Sequence, residues 1–446
     1  MTPDREMPNL SITELVLAAI RSQLASPEFT ARHRTKITYF TRKAKLSMEH
    51  MVLFMLNMVK SCQQIELDDF FKILNENQYS IREVTDSAFT QARQKFSHTA
   101  FIELNRRLVD TFYQYASPKL WHGFRLLAID GSIVTLPKSD KKKRLLDYFG
   151  TTCEHSKCPN LRLSQLYDVY NNITLDVNAS IMGVGERTLA REHLQNSAKK
   201  EDLVLYDRGY PAFWLFAYHM EQGIDFCARV SVTFNKLTIG FVASGEKEAN
   251  LLYIPASSHK KEAKARGIST EPFMVRFVRI ELPDGEVEVL ITSVLDSQTY
   301  PYGLFKDLYH QRWSIEEDYK TAKSKMELEN FTGLTVGAIQ QDIHAKILSK
   351  NIVATSIYEA QPMVEALYGH RKLEYQINES ATLSKFKDCM VMILLSAQKA
   401  AEFCAVMLKE IAINAGAVRK GRQNKRDKNL LKRKKGGHSM AYKRTK

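Results

Sequence analysis

Two short, largely apolar runs constrain the fold more than any other feature of this sequence. The runs FRLLAI and LVLY lead directly into Asp130 and Asp207, and each aspartate is followed within two residues by a glycine. An uninterrupted apolar run is typical of a strand that is covered on both faces, so both strands are predicted to lie near the centre of a sheet. If the two strands are neighbours, their carboxylates lie close together at one edge of that sheet.

The segments around these runs indicate an α/β architecture. The strand-like sequences QLYDVYN and ITLDVNASI lie between the two aspartates and are followed by the helical sequence ERTLAREHLQ. A second helical sequence, PAFWLFAYHMEQ, follows Asp207 and carries Pro211 near its first turn. Strands that alternate with helices predict a sheet with helices packed on it. Residues 118–227 are therefore predicted to form the first part of an α/β core.

Residues 1–117 are predicted to form a helical, DNA-binding domain. Apolar residues recur at spacings of three and four in SITELVLAAIRSQL, MEHMVLFMLNMV and TAFIELNRRLVDTFY. The sequences LDDFFKIL and AFTQARQKF could form a helix-turn-helix that brings Gln91, Arg93 and Lys95 to DNA. The alternative is a plain helical bundle with a solvated face, and the sequence does not separate the two.

The pattern changes again between residues 228 and 297, where β-rich stretches follow one another. These stretches are ARVSVTF, KLTIGFV, NLLYIP, FMVRFVRIEL and EVEVLITSVL, with the turn sequence PDG between the last two. The pattern predicts a β-rich insertion domain, a small sheet inserted into the α/β core. From Pro301 the chain is helical to about residue 415. The second part of the core is expected at 298–372, and C-terminal helices are expected at 373–418.

Positive charge is concentrated at one end of the sequence. Residues 419–446 contain thirteen Lys or Arg and one Asp, a net charge of +12, whereas the whole chain carries +14. Such a segment attracts phosphate and is usually disordered until it is bound, so a disordered tail that binds nucleic acid is expected. A solubilising tail or a nuclear address is the alternative.

Composition favours a cytoplasmic protein. No apolar run reaches the roughly 18 residues that a membrane-spanning helix needs. The opening sequence MTPDREMPNL lacks the basic-then-apolar order of a secretory signal. The six cysteines are scattered, as expected for free thiols in a reducing compartment. Only Cys153 and Cys158, with His155 between them, are spaced like metal ligands, and a loop with ordinary thiols is the expected interpretation.

The two aspartates suggest a metal site. Two carboxylates at close range raise the pKa of one of them unless a cation neutralises the pair. Hard carboxylate oxygens with room for water suit Mg²⁺ or Mn²⁺. An aspartate at the end of a strand is also a common turn-former or helix cap, so Asp130 and Asp207 alone do not establish a site.

The sequence YHQRWSIEEDYKTAK, residues 309–323, adds a third carboxylate in a distinctive setting. On a single helix, Glu316 lies on a polar stripe about 80° wide that borders the apolar face. The other members of this stripe are Tyr309, Arg312, Lys320 and Lys323. A ladder of ion pairs four residues apart would explain the stripe. Its position beside the buried face instead suits a carboxylate whose neighbouring cations grip a phosphate backbone.

The three acidic residues resemble a known family. Asp130, Asp207 and Glu316, with D-G-S at the first aspartate and D-R-G-Y at the second, are similar to the DDE transposases of bacterial insertion sequences. The resemblance covers about residues 120–350. It implies a ribonuclease-H-like core that is interrupted by a β-rich insertion before the catalytic glutamate, which agrees with the insertion expected at 228–297.

The residues around Glu316 make this resemblance specific. The spacing Tyr309-x2-Arg312-x3-Glu316-x6-Lys323 matches the Y-R-E-K signature of the fourth insertion-sequence family, and Lys320 matches a lysine found in members of that group. Arg208, directly after Asp207, is a further candidate for a phosphate contact. The residues that, by resemblance, would hold the terminal phosphate and the adjoining DNA strand are Tyr309, Arg312, Lys320 and Lys323.

The resemblance implies phosphoryl transfer with two Mg²⁺ or Mn²⁺ ions held by Asp130, Asp207 and Glu316. Strand cleavage at the element ends and strand transfer into target DNA would be the same displacement with different nucleophiles. The implied partner is double-stranded DNA, at the terminal inverted repeats and at the target. A homodimer on DNA is expected because two transposon ends are cut and joined together.

One departure concerns excision through a DNA hairpin, in which some members stack a flipped base on a tryptophan of the insertion. All three tryptophans, Trp121, Trp214 and Trp313, lie outside 228–297, and Trp313 is expected to pack against the core. Any aromatic face can stack on a base. The candidates within the insertion are Phe273, Phe277 and Tyr253.

Two other functions remain open at this point. A ribonuclease-H-like metal nuclease would cut DNA without joining it. A non-catalytic or domesticated DNA-binding protein would have lost the reaction altogether. All three carboxylates and their companion cations are intact, which disfavours lost catalysis, and the inserted domain and the signature stripe argue against a nuclease that only cuts.

Overall fold

The computed structural model describes residues 10–57, 61–138, 144–152, 158–282 and 285–419. The chain divides into two units. The helical unit comprises Met1–Ser117, Val134–Leu161 and Lys320–Lys446, and the sheet unit comprises Pro118–Ile133 and Arg162–Tyr319. Cys153 and His155 of the expected half-site, and the basic tail after Arg419, lie outside the described residues.

Helices and strands are labelled in chain order over these residues. The helices are α1 (Ile12–Ala25), α2 (Pro27–His33), α3 (Met48–Leu56), α4 (Gln63–Leu74), α5 (Asp86–Arg93), α6 (Thr99–Tyr115), α7 (Arg144–Phe149), α8 (Glu186–Ser197), α9 (Phe213–Gln222), α10 (Lys236–Ser244), α11 (Ser257–Ala265), α12 (Leu304–His310), α13 (Trp313–Ser324), α14 (Val336–Tyr368), α15 (Glu379–Leu395) and α16 (Ala397–Ile413). The strands are β1 (Arg125–Thr135), β2 (Asn160–Asp168), β3 (Ile173–Ser180), β4 (Asp202–Tyr206), β5 (Asp225–Val230), β6 (Glu248–Tyr253), β7 (Phe273–Glu281), β8 (Val287–Thr292), β9 (Tyr375–Gln376) and β10 (Gly416–Ala417). This mixture confirms the α/β class, with helical regions at both ends of the chain.

The core of the helical unit is built around α14. Almost every residue of this helix between Ala338 and Ser356 is buried, which is typical of a helix surrounded by other helices. It packs against α1, α3, α6 and α16. Among the described residues, no helix combines the length and the apolar character needed to cross a membrane.

Helix α5 corrects one part of the expected helix-turn-helix, because Arg93 does not face solvent. Its side chain is 2 % exposed and forms an ion pair with Asp342 at 2.9 Å. The same guanidinium donates to Gln341 Oε1 at 2.9 Å and to the carbonyl oxygen of Ala338 at 3.0 Å. Arg93 therefore ties α5 to the start of α14 and is not available to DNA, whereas Gln91 is exposed.

The sheet unit contains the two strands that the sequence places at the centre of a sheet. The strand order is β3-β2-β1-β4-β5-β8-β7-β6, and β1 pairs in parallel with β4. The register places Arg125 beside Asp202, and their side chains form a buried, bidentate ion pair with two N–O distances of 2.7 Å. The predicted neighbourhood of the two strands is confirmed. Strand β1 continues beyond Asp130 to Thr135 and does not end there as expected.

The insertion does not form a separate sheet, which corrects the expected small inserted sheet. Strand β8 pairs antiparallel with β5, and β7 and β6 follow outward, so these strands extend the core sheet. The physical reason is that β5 would otherwise leave its backbone N–H and C=O groups unpaired at an edge.

One predicted strand of the insertion, KLTIGFV, is the helix α10. Asn235 caps its first turn by accepting a hydrogen bond from the backbone N–H of Thr238 at 2.8 Å. Gly245 ends it with a positive φ of 72°, a conformation that glycine adopts without strain. These two end signals outweigh the β-branched residues between them. The helix α11 in the same segment is absent from the sequence prediction.

Replacing Arg93 with methionine is expected to destabilise the protein. Removal of the guanidinium leaves the Asp342 carboxylate buried without its cation, which costs about 3 kcal/mol of unfolding free energy. Urea unfolding monitored by circular dichroism measures the loss. The matched control is Gln91→Ala, an exposed change on the same helix that should lie within about 0.5 kcal/mol of the wild type. A similar, small effect of both substitutions would contradict a structural role for Arg93.

Candidate active site

Asp130 and Asp207 occupy equivalent positions on neighbouring strands. The last paired residues of β1 and β4 are Ile129 and Tyr206, and one aspartate directly follows each of them. Asp130 Oδ1 accepts a hydrogen bond from the backbone N–H of Gly131 at 2.8 Å. Parallel pairing therefore brings two carboxylates to the same edge of the sheet, as the sequence predicts.

Burial shapes the charge of Asp130. The pKa of this carboxyl is raised from 3.8 to about 6, mainly by burial, and the nearby carboxylates Glu316 and Asp207 contribute to the rise. The hydrogen bond from Gly131 and the charge of Arg312 oppose this shift. The three acidic residues singled out by the sequence are thus electrostatically coupled, with excess negative charge that a cation would relieve.

The helix that carries Glu316 is interrupted, which corrects the single helix expected over residues 309–323. Helix α12 ends at His310 and α13 begins at Trp313. Between them the backbone tightens into three-residue turns, in which Arg312 N–H donates to Tyr309 O at 3.1 Å and Ser314 N–H donates to Gln311 O at 3.0 Å. Such tight turns are common at the ends of helices. The stripe of polar residues is therefore bent at Gln311 and Arg312.

The side chains of Arg312 and Glu316 are paired across this bend. Arg312 donates to Glu316 Oε1 at 2.9 Å, and the two side chains are 6 % and 31 % exposed. The guanidinium also lies over the rings of Tyr309 and Trp313, at 5.8 and 5.3 Å from their centroids. Its Nε has no hydrogen-bond partner among the described residues. Arg312 thus binds Glu316 through Nη2, and its Nε–H remains available to another acceptor.

Tyr309 connects α12 to the end of β4. Its ring is 4 % exposed, and its hydroxyl donates a long hydrogen bond of 3.4 Å to the backbone carbonyl of Tyr206. Burial raises the pKa of the phenol well above its ordinary value. The hydroxyl therefore stays protonated and can act as a donor next to Asp207.

The remaining cations differ in exposure. Arg208 is exposed in the turn after β4. Lys320 and Lys323 follow Glu316 on α13 and belong to the helical unit. Lys320 is exposed, whereas Lys323 is partly buried, and burial lowers the pKa of its ammonium group while Glu329 opposes that shift.

Tyr319 contacts the candidate site, although helical periodicity predicts for it only a place on the apolar face. Its hydroxyl donates to the backbone carbonyls of Asp130 at 2.8 Å and Leu163 at 3.2 Å. It thus fixes α13 to β1 at the position of the first catalytic candidate. A tyrosine three residues after Glu316 on an otherwise apolar stripe is the signal that could have revealed it.

The expected aromatic residues of the insertion are packed, and Trp313 is not. Phe277 and Tyr253 are 0 % and 3 % exposed, and Phe273 stacks against the buried Phe213. Trp313, which was expected to pack against the core, is 50 % exposed. It begins α13 beside Arg312, so its outer face is open to solvent.

The donor chemistry of Asp130, Asp207 and Glu316 fits a divalent cation, although their arrangement is not yet a closed ligand set. All three offer hard carboxylate oxygens, which Mg²⁺ and Mn²⁺ prefer. In the part of the chain that the structure describes, no three His, Cys, Asp or Glu side chains gather closely enough to hold a metal ion. Glu316 is engaged by Arg312. This contact uses Oε1 of the carboxylate.

Asp130 in β1, Asp207 directly after β4 and Glu316 in α13 are the three carboxylates that the sequence predicts for a site of the DDE type. Residues 121–352, more than half of the chain, match the family described as Transposase DDE domain, and the chain belongs to this family. The DDE transposase family inferred from Asp130, Asp207 and Glu316 is confirmed. Membership of the family implies dependence on a divalent metal ion.

Among named relatives, the chain is similar to the transposase InsG for insertion sequence element IS4 of Escherichia coli (strain K12). The two are 22% identical over 305 residues, which span 67% of this chain and 66% of that protein. The matched region thus covers slightly less than two thirds of the relative's length. A solved cryo-EM structure, the piggyBac transposase synaptic complex with hairpin DNA, aligns with 97% of this chain and 91% of its own at 11% identity and a TM-score of 0.43.

The metal-free protein is expected to become more stable when Asp130 is replaced with asparagine. An acid whose pKa is raised on folding contributes stability that is fully present below pH 4 and is lost as the pH rises through about 6. At pH 8 the wild type should therefore be about 2–3 kcal/mol less stable than Asp130→Asn. The difference should vanish at pH 4.

Urea unfolding in EDTA at pH 8 and pH 4 tests this expectation. Asp110→Asn, an exposed change on α6, is the matched control and should show no such gain. Equal stability of Asp130→Asn and the wild type at pH 8 would contradict a buried, coupled carboxylate at Asp130.

Proposed function

We propose that this protein is a DNA transposase of an insertion sequence, which cleaves the element ends and transfers them into target DNA by a cut-and-paste route. The observation that carries the proposal is the parallel register that sets Asp130 beside Asp207, with Glu316 near enough to Asp130 to contribute to the rise in its pKa. Family membership supports the reaction class. The proposed catalytic and metal-binding residues are Asp130, Asp207 and Glu316.

Two Mg²⁺ or Mn²⁺ ions bound by these carboxylates would supply an activated nucleophile and charge stabilisation at the leaving oxygen. The protein's own contribution is positioning. Gly131 and Tyr319 hold Asp130 through its carboxylate and its backbone carbonyl. Tyr309 holds the helix next to Asp207.

Arg312 is proposed to exchange partners during assembly of the site. When Glu316 turns towards the aspartates, the buried guanidinium loses its carboxylate and needs a new anion. A DNA phosphate meets that need, because arginine binds phosphate with two parallel hydrogen bonds. The further residues proposed to contact the DNA backbone are Tyr309, Lys320, Lys323 and Arg208.

The helical unit is proposed to bind DNA through a basic loop, defined as residues 34–45. This loop contains five Lys or Arg and no acidic residue. Among the described residues, no carboxylate lies within ion-pair distance of Lys36, Arg42 or Lys43, and all three are exposed. Unpaired surface cations at this density favour a polyanionic partner.

The shape of the basic loop is set by the protein itself. Thr35 N–H donates to the carbonyl of Lys95 at 2.8 Å, and Ser97 N–H donates to the carbonyl of His33 at 2.8 Å. The ammonium groups of Lys36 and Lys95 lie 5.7 and 5.8 Å from the ring centroid of Tyr39. A loop that is ordered before binding loses less conformational entropy when it meets DNA.

The assembly that acts is proposed to be a homodimer on DNA in the bacterial cytoplasm, since two ends must be cut and joined together. Excision through a hairpin is proposed as one route within this scheme. Product analysis on denaturing gels would reveal it, because a hairpin runs at twice the length of an open strand.

Removing the unpaired charges of the basic loop should weaken DNA binding with little effect on sequence preference. For the triple substitution of Lys36, Arg42 and Lys43 with alanine, the slope of log affinity against log salt should fall by about three. Fluorescence anisotropy with element-end DNA measures it. The control replaces three exposed cations elsewhere on the helical unit, Arg106, Arg107 and Lys409, with alanine. Equal salt slopes for the loop variant and the wild type would exclude the loop from the DNA interface.

Strand cleavage of DNA that carries the element ends tests the function directly. With Mg²⁺ or Mn²⁺ the wild type should cleave and join, whereas Glu316→Gln should lose cleavage by at least about a hundredfold while DNA binding persists. Glu317→Gln, an exposed change on the same helix, should retain activity.

Each other result points to a different function. Equal cleavage by the wild type and Glu316→Gln would remove Glu316 from the mechanism. Cleavage without joining would indicate a metal nuclease, and tight binding without cleavage would indicate a non-catalytic DNA-binding protein.

A further inference from the structure

A fourth carboxylate lies against Gly131, the residue after Asp130, and the proposed mechanism does not use it. Glu186 is the first residue of α8, and its Oε1 lies 3.2 Å from the position that a Cβ atom on Gly131 would occupy. Arg162 Nη1 lies 3.3 Å from the same oxygen. The Glu186 carboxylate therefore lies close to the backbone that follows Asp130, and a Cβ atom at position 131 would make it shift by a few tenths of an ångström.

The ion pair with Arg162 does not explain this placement. The side chains of Arg162 and Glu186 are 21 % and 42 % exposed, and ion pairs with that access to water contribute little to stability. The Nε of Arg162 is itself buried without a hydrogen-bond partner among the described residues. The pair thus leaves donor and acceptor capacity unused next to Asp130.

A buried hydroxyl points to an occupant of this space. Tyr210, from the D-R-G-Y sequence after β4, is 2 % exposed, and its hydroxyl has no hydrogen-bond partner in the described part of the chain. Burial raises the pKa of this hydroxyl, the charges of Asp130 and Glu186 contribute to the rise, and Arg162 opposes it. A buried hydroxyl left unpaired costs free energy, so native structures usually supply it with a protein or water partner.

We propose that Tyr210 and Glu186 hold a water molecule beside Asp130, with the Tyr210 hydroxyl donating to it and the Glu186 carboxylate accepting from it. This inference rests on the proposed function, in which Asp130 binds a divalent cation. Glu186 and Tyr210 would act on Asp130 through this water, as positioning residues and not as ligands of the cation. Partners of this kind orient the ligands of a metal ion, and their loss commonly lowers metal affinity or activity by ten- to a hundredfold.

The substitution Tyr210→Phe separates this role from simple packing. It removes only a hydroxyl that has no protein partner, so a packing role predicts unchanged cleavage and unchanged or higher thermal stability. A water-positioning role predicts a folded variant whose cleavage of element-end DNA falls by about tenfold or more. Thermal unfolding verifies that the variant is folded.

Glu186 is tested by metal binding in the absence of DNA. In a Mn²⁺ titration followed by electron paramagnetic resonance, Glu186→Gln should bind Mn²⁺ at least about tenfold more weakly than the wild type. Glu186→Asp should recover part of this affinity. Glu192→Gln, an exposed change on the same helix, is the matched control and should bind as the wild type does.

The outcomes distinguish this inference from the proposed function. Failure of the wild type itself to cleave DNA would overturn the proposed function and the inference with it. If the wild type cleaves, and Tyr210→Phe and Glu186→Gln match it within twofold in both cleavage and Mn²⁺ affinity, the water-positioning role is wrong and the proposed function stands.

Discussion

The parallel pairing of β1 with β4 is the constraint on which the rest of the site depends. At one end of the pair, Arg125 and Asp202 are register partners joined by a buried, bidentate ion pair, so a shift by one residue would separate two buried charges. At the other end, the same register places Asp130 and Asp207 side by side. The ion pair between Arg125 and Asp202 thus fixes the register that brings the Asp130 and Asp207 carboxylates together. A bound cation would relieve the repulsion between these two carboxylates.

The pairing of Arg312 with Glu316 partly compensates the negative charge of the three carboxylates in the metal-free protein. The arginine neutralises the third carboxylate while no metal ion is bound, and it lowers the pKa of Asp130. Both groups then have a partner in the free protein, which limits the cost of burying them. Because one guanidinium serves the carboxylate and the proposed phosphate, metal binding and DNA binding would favour each other through a single residue.

Patterns within short stretches of sequence predicted much of this arrangement. The apolar runs before Asp130 and Asp207 identified central strands, because their burial on both faces is written in consecutive residues. Arg93 could not be assigned in that way, since its partner Asp342 is 249 residues away and makes the difference between an exposed and a buried arginine. The β-branched residues of α10 predict a strand. A capping asparagine and a terminal glycine outweigh them and make the segment a helix. The break between α12 and α13 is not predicted by helical periodicity, which assumes one continuous helix.

The antiparallel pairing of β8 with β5 has a mechanical consequence. An insertion joined to its host by two flexible connections could move as an independent module. Here the inserted strands share a continuous hydrogen-bond ladder with β5, which pairs in turn with β4, the strand that Asp207 directly follows. A force applied to the inserted strands is therefore transmitted across the sheet to β4, which leads into the proposed metal ligand Asp207. Removal of the insertion would leave β5 as an unpaired edge strand next to β4.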